Sequence, residues 1–179
     1  MAVLQIRTFG HPTLTKKAQP VRDIDAFIVE LARDMVETMY CAPGLGLSAP
    51  QVDVSRRLIT VDLSVGKNGK DLIILLNPEI VGLEGEITAE EGCLSVPGVF
   101  EKVSRPARVE VKGLDLKGRE RSYAAEDILA RVFCHEIDHL NGKLFLERLS
   151  PLKRQLLKRK LRKSQESLGL NEDRFLRQS

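Results

Sequence analysis

Five residues, His135-Glu136-Ile137-Asp138-His139, constrain this chain more than any others. They lie in a segment, Ala125 to Leu140, where Ile128, Leu129, Val132, Phe133, Ile137 and Leu140 cover much of a helix circumference. Such a helix is predicted to be largely buried. The plain alternative is a core helix with two satisfied histidines. But three unpaired ionisable groups are costly to take out of water. Histidines at i and i+4 share a helix face, roughly 5–6 Å apart at Cβ, and can reach one metal ion. Glu136 then sits beside that metal, where it can take a proton from a bound water. The fold must therefore carry charged chemistry inside a core helix.

The rest of the composition narrows the setting. A chain of 179 residues, 42% hydrophobic and 30% charged, suits one globular domain with a real core. No apolar run is long enough to span a membrane. The start, MAVLQIRTFGHPTL, has neither a secretory nor a transit pattern, so the expected location is cytoplasmic, with no membrane partner. Cys41, Cys93 and Cys134 are odd in number, irregular in spacing and form no CxxC pair, which argues against a disulfide framework. Net charge is +3, but residues 151–179 hold nine Lys/Arg against three Asp/Glu. That end is either a helix with a solvated basic face or a surface for a polyanion such as RNA.

Periodicity predicts a first helix from Asp23 to about Met39, with Asp23 as N-cap and Ile24, Phe27, Ile28, Leu31, Met35 and Met39 on its apolar side. Pro43-Gly44-Leu45-Gly46 ends it and opens a loop. Strands are predicted at 57–63, at 71–81 with a bend or edge at Pro78, at 108–116, and at 119–123 after a Lys117-Gly118 turn. The 125–140 helix ends at Asn141-Gly142. Leu144 to Leu149 reads as a short strand. Ser150 then caps a last helix with Pro151 at its first position and Leu152, Leu156, Leu157 and Leu161 along one side. This order gives an α+β fold: one domain over 1–179, mixed or antiparallel sheets around a central metal-binding helix, and a basic C-terminal helix and tail over 151–179.

A hydrolytic site needs a third protein ligand and an open position for water. His11, in a His-Pro turn, reads as a surface residue. Cys93, in the loop-like Glu90-Glu91-Gly92-Cys93-Leu94-Ser95, is the better candidate. Alone it would be a small core residue; beside a His₂ motif lacking a ligand it completes a Cys₁His₂ set. Ligand chemistry by itself suggests Zn²⁺. Gly44-Leu45-Gly46-Leu47-Ser48-Ala49-Pro50-Gln51 lacks the Lys-Ser/Thr ending of a phosphate loop. Its glycines free backbone for an extended substrate, and Gln51 offers an amide to a developing oxyanion.

Taken together, GLGLSAPQ (44–51), EGCLS (91–95) and HEIDH (135–139), in this order, resemble the peptide deformylase family of bacterial type. The likeness runs over roughly residues 4–165. Ser48 stands where the family usually has Ala, a small-for-small change expected to matter little, and Cys134 where it usually has Gln, expected to pack rather than ligate. The resemblance implies hydrolysis of the N-formyl group from the N-terminal formylmethionine of new polypeptides, with release of formate. It implies Cys93, His135 and His139 as metal ligands and Glu136 as general base and acid. Gln51 and the Leu94 backbone N–H become oxyanion donors, and Leu45 and Gly46 pair with the peptide. The iron preference, Fe²⁺ with Zn²⁺, Ni²⁺ or Co²⁺ able to substitute, comes only from the resemblance. So does ribosome docking by the basic C-terminal helix. Ile128 and Val132, from helix spacing, are candidates for the methionine pocket, and Asp138 for orienting a ligand with Arg105 as its partner. Two competing readings remain: a zinc endopeptidase, for whose downstream ligand Glu147, past a turn, is a poor candidate, and a non-enzymatic metal-stabilised module on the ribosome.

Overall fold

Helix α1 (Ala26–Cys41) begins where Asp25 can close its first turn: the Asp25 carboxylate accepts from the Ile28 N–H at 2.9 Å. The cap is thus Asp25 rather than Asp23, because only Asp25 sits at the N-cap position. In this computed structural model residues 2–68 and 71–167 are described, and the chain divides into two compact units, Met1–Phe145 and Leu146–Ser179. The other elements of the first unit are β1 (Gly46–Ser48), β2 (Leu58–Val61), β3 (Ile73–Glu84), β4 (Ile87–Cys93), β5 (Val96–Arg105), β6 (Arg108–Leu114), β7 (Glu120–Glu126) and α2 (Asp127–Leu140).

A five-stranded antiparallel sheet runs β1-β2-β3-β6-β7, and β4-β5 form a separate antiparallel pair. Every residue of β2 is buried, because side chains alternate between two covered faces. Ile59 and Val61 pack with Leu75, Val109 and Val111 against Phe133, Ile137 and Leu140 of α2. Leu58 and Leu76 join Leu31, Met35 and Met39 of α1. The sheet is therefore sandwiched between α1 and α2, each fully buried large side chain contributing about 1.5–3 kcal/mol. The α+β expectation holds, with α2 at the centre of the unit.

Several local expectations change. Pro78 marks a bend in an interior strand: the β3–β6 register shifts between Leu76 and Glu79, where Asn77 has φ 50°. Asn77 there exchanges hydrogen bonds with the Val21 backbone, at 2.8 Å each. Gly46–Ser48, expected as loop, adds strand β1 to β2. Cys93, also expected in a loop, is the last residue of β4. Leu144–Leu149 is no strand but holds a single 3-10 turn, Phe145–Arg148, whose consecutive buried Leu144, Phe145 and Leu146 lack strand alternation. Helix α2 stops as expected. The Gly142 N–H donates to the His139 carbonyl with φ 69°, a conformation glycine adopts freely.

In the second unit, α3 (Pro151–Ser167) starts at Pro151. Glu147 accepts from Arg154 at 3.0 Å and from Lys158. Leu152 and Leu156 are exposed. The tail expected over 168–179 lies outside the described residues.

Candidate active site and metal centre

Helix α2 and the end of β4 bring three ligand atoms together. The His135 and His139 Nε2 atoms are 3.1 Å apart, and the Cys93 Sγ lies 3.2 Å from His139 Nε2. All three donor atoms fall within 4.8 Å of one another. The β4–β5 register shifts between Gly92 and Cys93, at the last residue of β4.

Ordinary hydrogen bonding does not account for this convergence. His135 Nδ1 faces the Glu91 carboxylate at 2.6 Å, which orients the ring with its Nε2 toward the cluster. Cys93 Sγ accepts from the Ser95 N–H at 3.4 Å and from Gln51 Nε2 at 3.7 Å, as a thiolate would. Two imidazole nitrogens and a sulfur aimed at one point fit a soft-to-borderline divalent cation. The two rings feel different charges: burial opposes it, but Cys93 and Glu91 together hold the His135 imidazole well above its ordinary pKa. His139 is held well below its own, first by burial and then by His135 and Arg105. The pair does not behave as two independent histidines.

Around the ligands lies a buried ionic network that the motifs alone did not reveal. Glu91 accepts from Arg105 through Nε at 3.1 Å and Nη2 at 2.6 Å, and from Arg131 Nη1 at 2.9 Å. Arg105 Nη1 donates to Asp138 at 2.5 Å, the pairing expected for Asp138. Burial raises the pKa of the Glu91 carboxyl, yet His135 and Arg105 outweigh it and hold the group well below the usual carboxylate range. Two guanidiniums and two carboxylates thus balance in a nearly dry interior. Glu91 and Arg131 are residues the sequence reasoning missed; Arg131, four residues before His135 on the same helix face, was the one available hint.

Glu136 is 3% exposed, and its Oε2 has no hydrogen-bond partner among the described residues. Burial pushes its carboxyl up to about 7, with His135 and the Ser48 hydroxyl pulling the other way. It packs on β1: a Cβ added to Gly46 would lie 2.6 Å from Glu136 Oε1 and 2.9 Å from Val132 Cγ1. Gln51 is buried in the 3-10 turn Ala49–Val52, its Oε1 accepting from the Ser48 N–H and hydroxyl, each at 2.9 Å. Its Nε2 points at Ser95 Oγ, 3.2 Å away, and at Cys93. Leu94 sits in the turn joining β4 to β5. The N-terminal segment spans both loops, with Arg7 N–H donating to the Gln51 carbonyl and Phe9 N–H to the Ser95 carbonyl, each at 2.7 Å.

The remaining candidates divide. Val132 is buried beside Gly46, whereas Ile128 and Leu45 are exposed and so are not ordinary core. His11 is not a surface residue: it is half-buried, accepts from Thr13 N–H and lies 3.8 Å from Asp53. Cys134 is buried and outside the ligand cluster, as expected of a packing residue. Glu147, in the second unit, is engaged by Arg154 and Lys158, and among the described residues the candidate metal cluster holds Cys93, His135 and His139. No helix among the described residues is long and apolar enough to cross a membrane.

Known proteins resemble this chain over most of its length. The model of the family described as polypeptide deformylase matches residues 3–155. A peptide deformylase of Thermodesulfovibrio yellowstonii is 48% identical over 162 residues, covering 90% of this chain and 98% of the relative. The crystal structure of a peptide deformylase from Legionella pneumophila superposes with a TM-score of 0.86 at 45% identity, covering 96% of this chain and 99% of that one. That of Ehrlichia chaffeensis peptide deformylase in complex with actinonin gives 0.83 at 38% identity, covering 92% and 98%. The chain belongs to the polypeptide deformylase family of enzymes.

Proposed function

We propose that this chain hydrolyses the N-formyl group of the N-terminal formylmethionine of newly made polypeptides, releasing formate and the free amine. The observation that carries the reading is the Cys93–His135–His139 donor cluster beside a buried, unpartnered carboxylate oxygen of Glu136. Those ligands are assigned to one Fe²⁺, a site whose sulfur and nitrogen donors equally suit Zn²⁺, Ni²⁺ or Co²⁺. When bound, the ion supplies a water acidic enough to attack a formamide near neutral pH.

The chain's own groups do the rest. Glu136 takes a proton from the attacking water and returns it to the leaving nitrogen, a role worth about 10²–10⁴-fold. Burial with Gly46 and Val132 against it keeps that carboxylate dry and fixed. Gln51 Nε2 and the Leu94 N–H donate to the oxyanion, each worth about 10²–10³ in turnover. The peptide extends along β1 as an added strand, using the backbone of Leu45 and Gly46. Exposed Leu45 and Ile128, with Val132 behind them, receive the methionine side chain. Residues 1–179 act as one catalytic domain in the cytoplasm, and the basic α3 and tail bring it to the ribosome.

The test is formate release from formyl-Met-Ala-Ser by anaerobically purified protein, with metal analysis. One equivalent of metal and steady formate production are expected, and actinonin, found in complex with the Ehrlichia chaffeensis relative, is expected to slow that production. Full activity of Glu136→Ala, or a retained equivalent of metal in Cys93→Ala, would refute the assignment.

A further inference from the structure

We infer that the Ser48 hydroxyl is a positioning group for the oxyanion donor, locking the Gln51 side-chain amide in its working orientation. The inference rests on the reading of Gln51 as that donor.

Gln51 Oε1 has two lone pairs and receives two donors at 2.9 Å, the Ser48 backbone N–H and the Ser48 hydroxyl. Either one alone leaves the amide plane free to rotate about a single hydrogen-bond axis. Both together fill the oxygen's acceptor sites and fix the plane. The Nε2 end is held far less tightly, by Ser95 Oγ at 3.2 Å and by a long contact to Cys93 Sγ at 3.7 Å. That asymmetry suits a donor that must turn a hydrogen toward substrate. The oxygen is anchored while the nitrogen keeps weak, exchangeable partners. Ser48 is itself fully buried, as is Gln51, so water cannot replace the hydroxyl at Oε1. An alanine at this position would keep the backbone donor and lose the second anchor. The replacement of one small residue by another is therefore not chemically neutral in this chain.

The experiment is a double-mutant cycle of Ser48→Ala and Gln51→Leu on the metal-loaded enzyme, with kcat and KM for formyl-Met-Ala-Ser. Ser48→Ala is expected to lower kcat about 3- to 10-fold, the worth of one net hydrogen bond, with KM unchanged. In the Gln51→Leu background the same substitution is expected to lose most of its effect, leaving only what the Ser48 hydroxyl contributes at the Glu136 carboxyl. A second reading is free of turnover: the Gln51 side-chain NH₂ protons, followed by NMR, are expected to exchange with solvent faster in Ser48→Ala. Equal exchange rates, an unchanged kcat, or the same loss in both Gln51 backgrounds would overturn the inference. If Gln51→Leu itself leaves kcat intact, the reading of Gln51 as oxyanion donor fails instead.

Discussion

Replacing Glu91 by Gln keeps the side chain's shape and removes one negative charge from the network around His135. In the parent, Glu91 and Asp138 face Arg105 and Arg131, with Glu91 at 2.6 Å from His135 Nδ1. After substitution two guanidiniums share the Asp138 charge, and the new amide turns its two hydrogens toward groups that are themselves donors. Removing one partner of a buried ion pair costs about 3–5 kcal/mol. At about 2–4 °C per kcal/mol for a chain of this size, Tm is expected to fall by roughly 6–20 °C. His135 also loses the carboxylate that orients its ring, which is expected to weaken metal binding about 10- to 100-fold. Thermal unfolding of chelator-treated protein reads the first effect, and competition for Zn²⁺ against a fluorescent chelator the second. Glu90→Gln, at the exposed neighbouring position, is the control. A Glu91→Gln protein with parental Tm and parental Zn²⁺ affinity would refute the view that this network supports the ligand.

Three other outcomes are expected. Gly46→Ala drives a methyl to 2.6 Å from Glu136 Oε1, so kcat is expected to drop about 10²-fold, the effect of misplacing a reacting group by an ångström, with metal content unchanged by elemental analysis. Asp62 is buried, and burial raises its pKa. Hydrogen bonds from Tyr40, Ser64 and Gly66 outweigh that and hold its carboxyl below the ordinary value. Its stabilisation is therefore complete above the unfolded pKa of about 3.9 and lost as pH falls through the lower folded value. Asp62→Asn is expected to lower stability at pH 7 and to flatten the acid limb of a denaturation profile. Deleting residues 151–179 is expected to weaken co-sedimentation with ribosomes far more than hydrolysis of formyl-Met-Ala-Ser. A ribosome affinity insensitive to salt would count against an electrostatic contact.

What could be read from the sequence was local chemistry. The ligand set was legible because HEIDH obeys helix spacing and because Cys93 and Gln51 sit in short, composition-marked segments. The α2 helix and strands β2, β3 and β6 announced themselves through their apolar patterns, and β7 through the Lys117-Gly118 turn before it. The β4–β5 hairpin did not: β4 reads Ile-Thr-Ala-Glu-Glu-Gly-Cys, exposed over much of its length, and Pro97-Gly98 interrupts β5. Leu144–Leu149 misled because a short apolar run has no period to distinguish strand from turn. Glu91 escaped notice for a different reason. Its partners Arg131 and His135 lie 40 and 44 residues away, and no sequence period connects them.

The N-terminal segment that bridges the two loops has a bearing on synthesis. Arg7 and Phe9 are made before their partners, since their amides bond to carbonyls at 51 and 95. That segment must therefore wait for its second partner until Ser95 has been made. The Ala2 N–H then docks on Asp34 of α1 at 2.7 Å, so a fusion partner placed ahead of it would tug on the same strap that holds Gln51 and Ser95 in line.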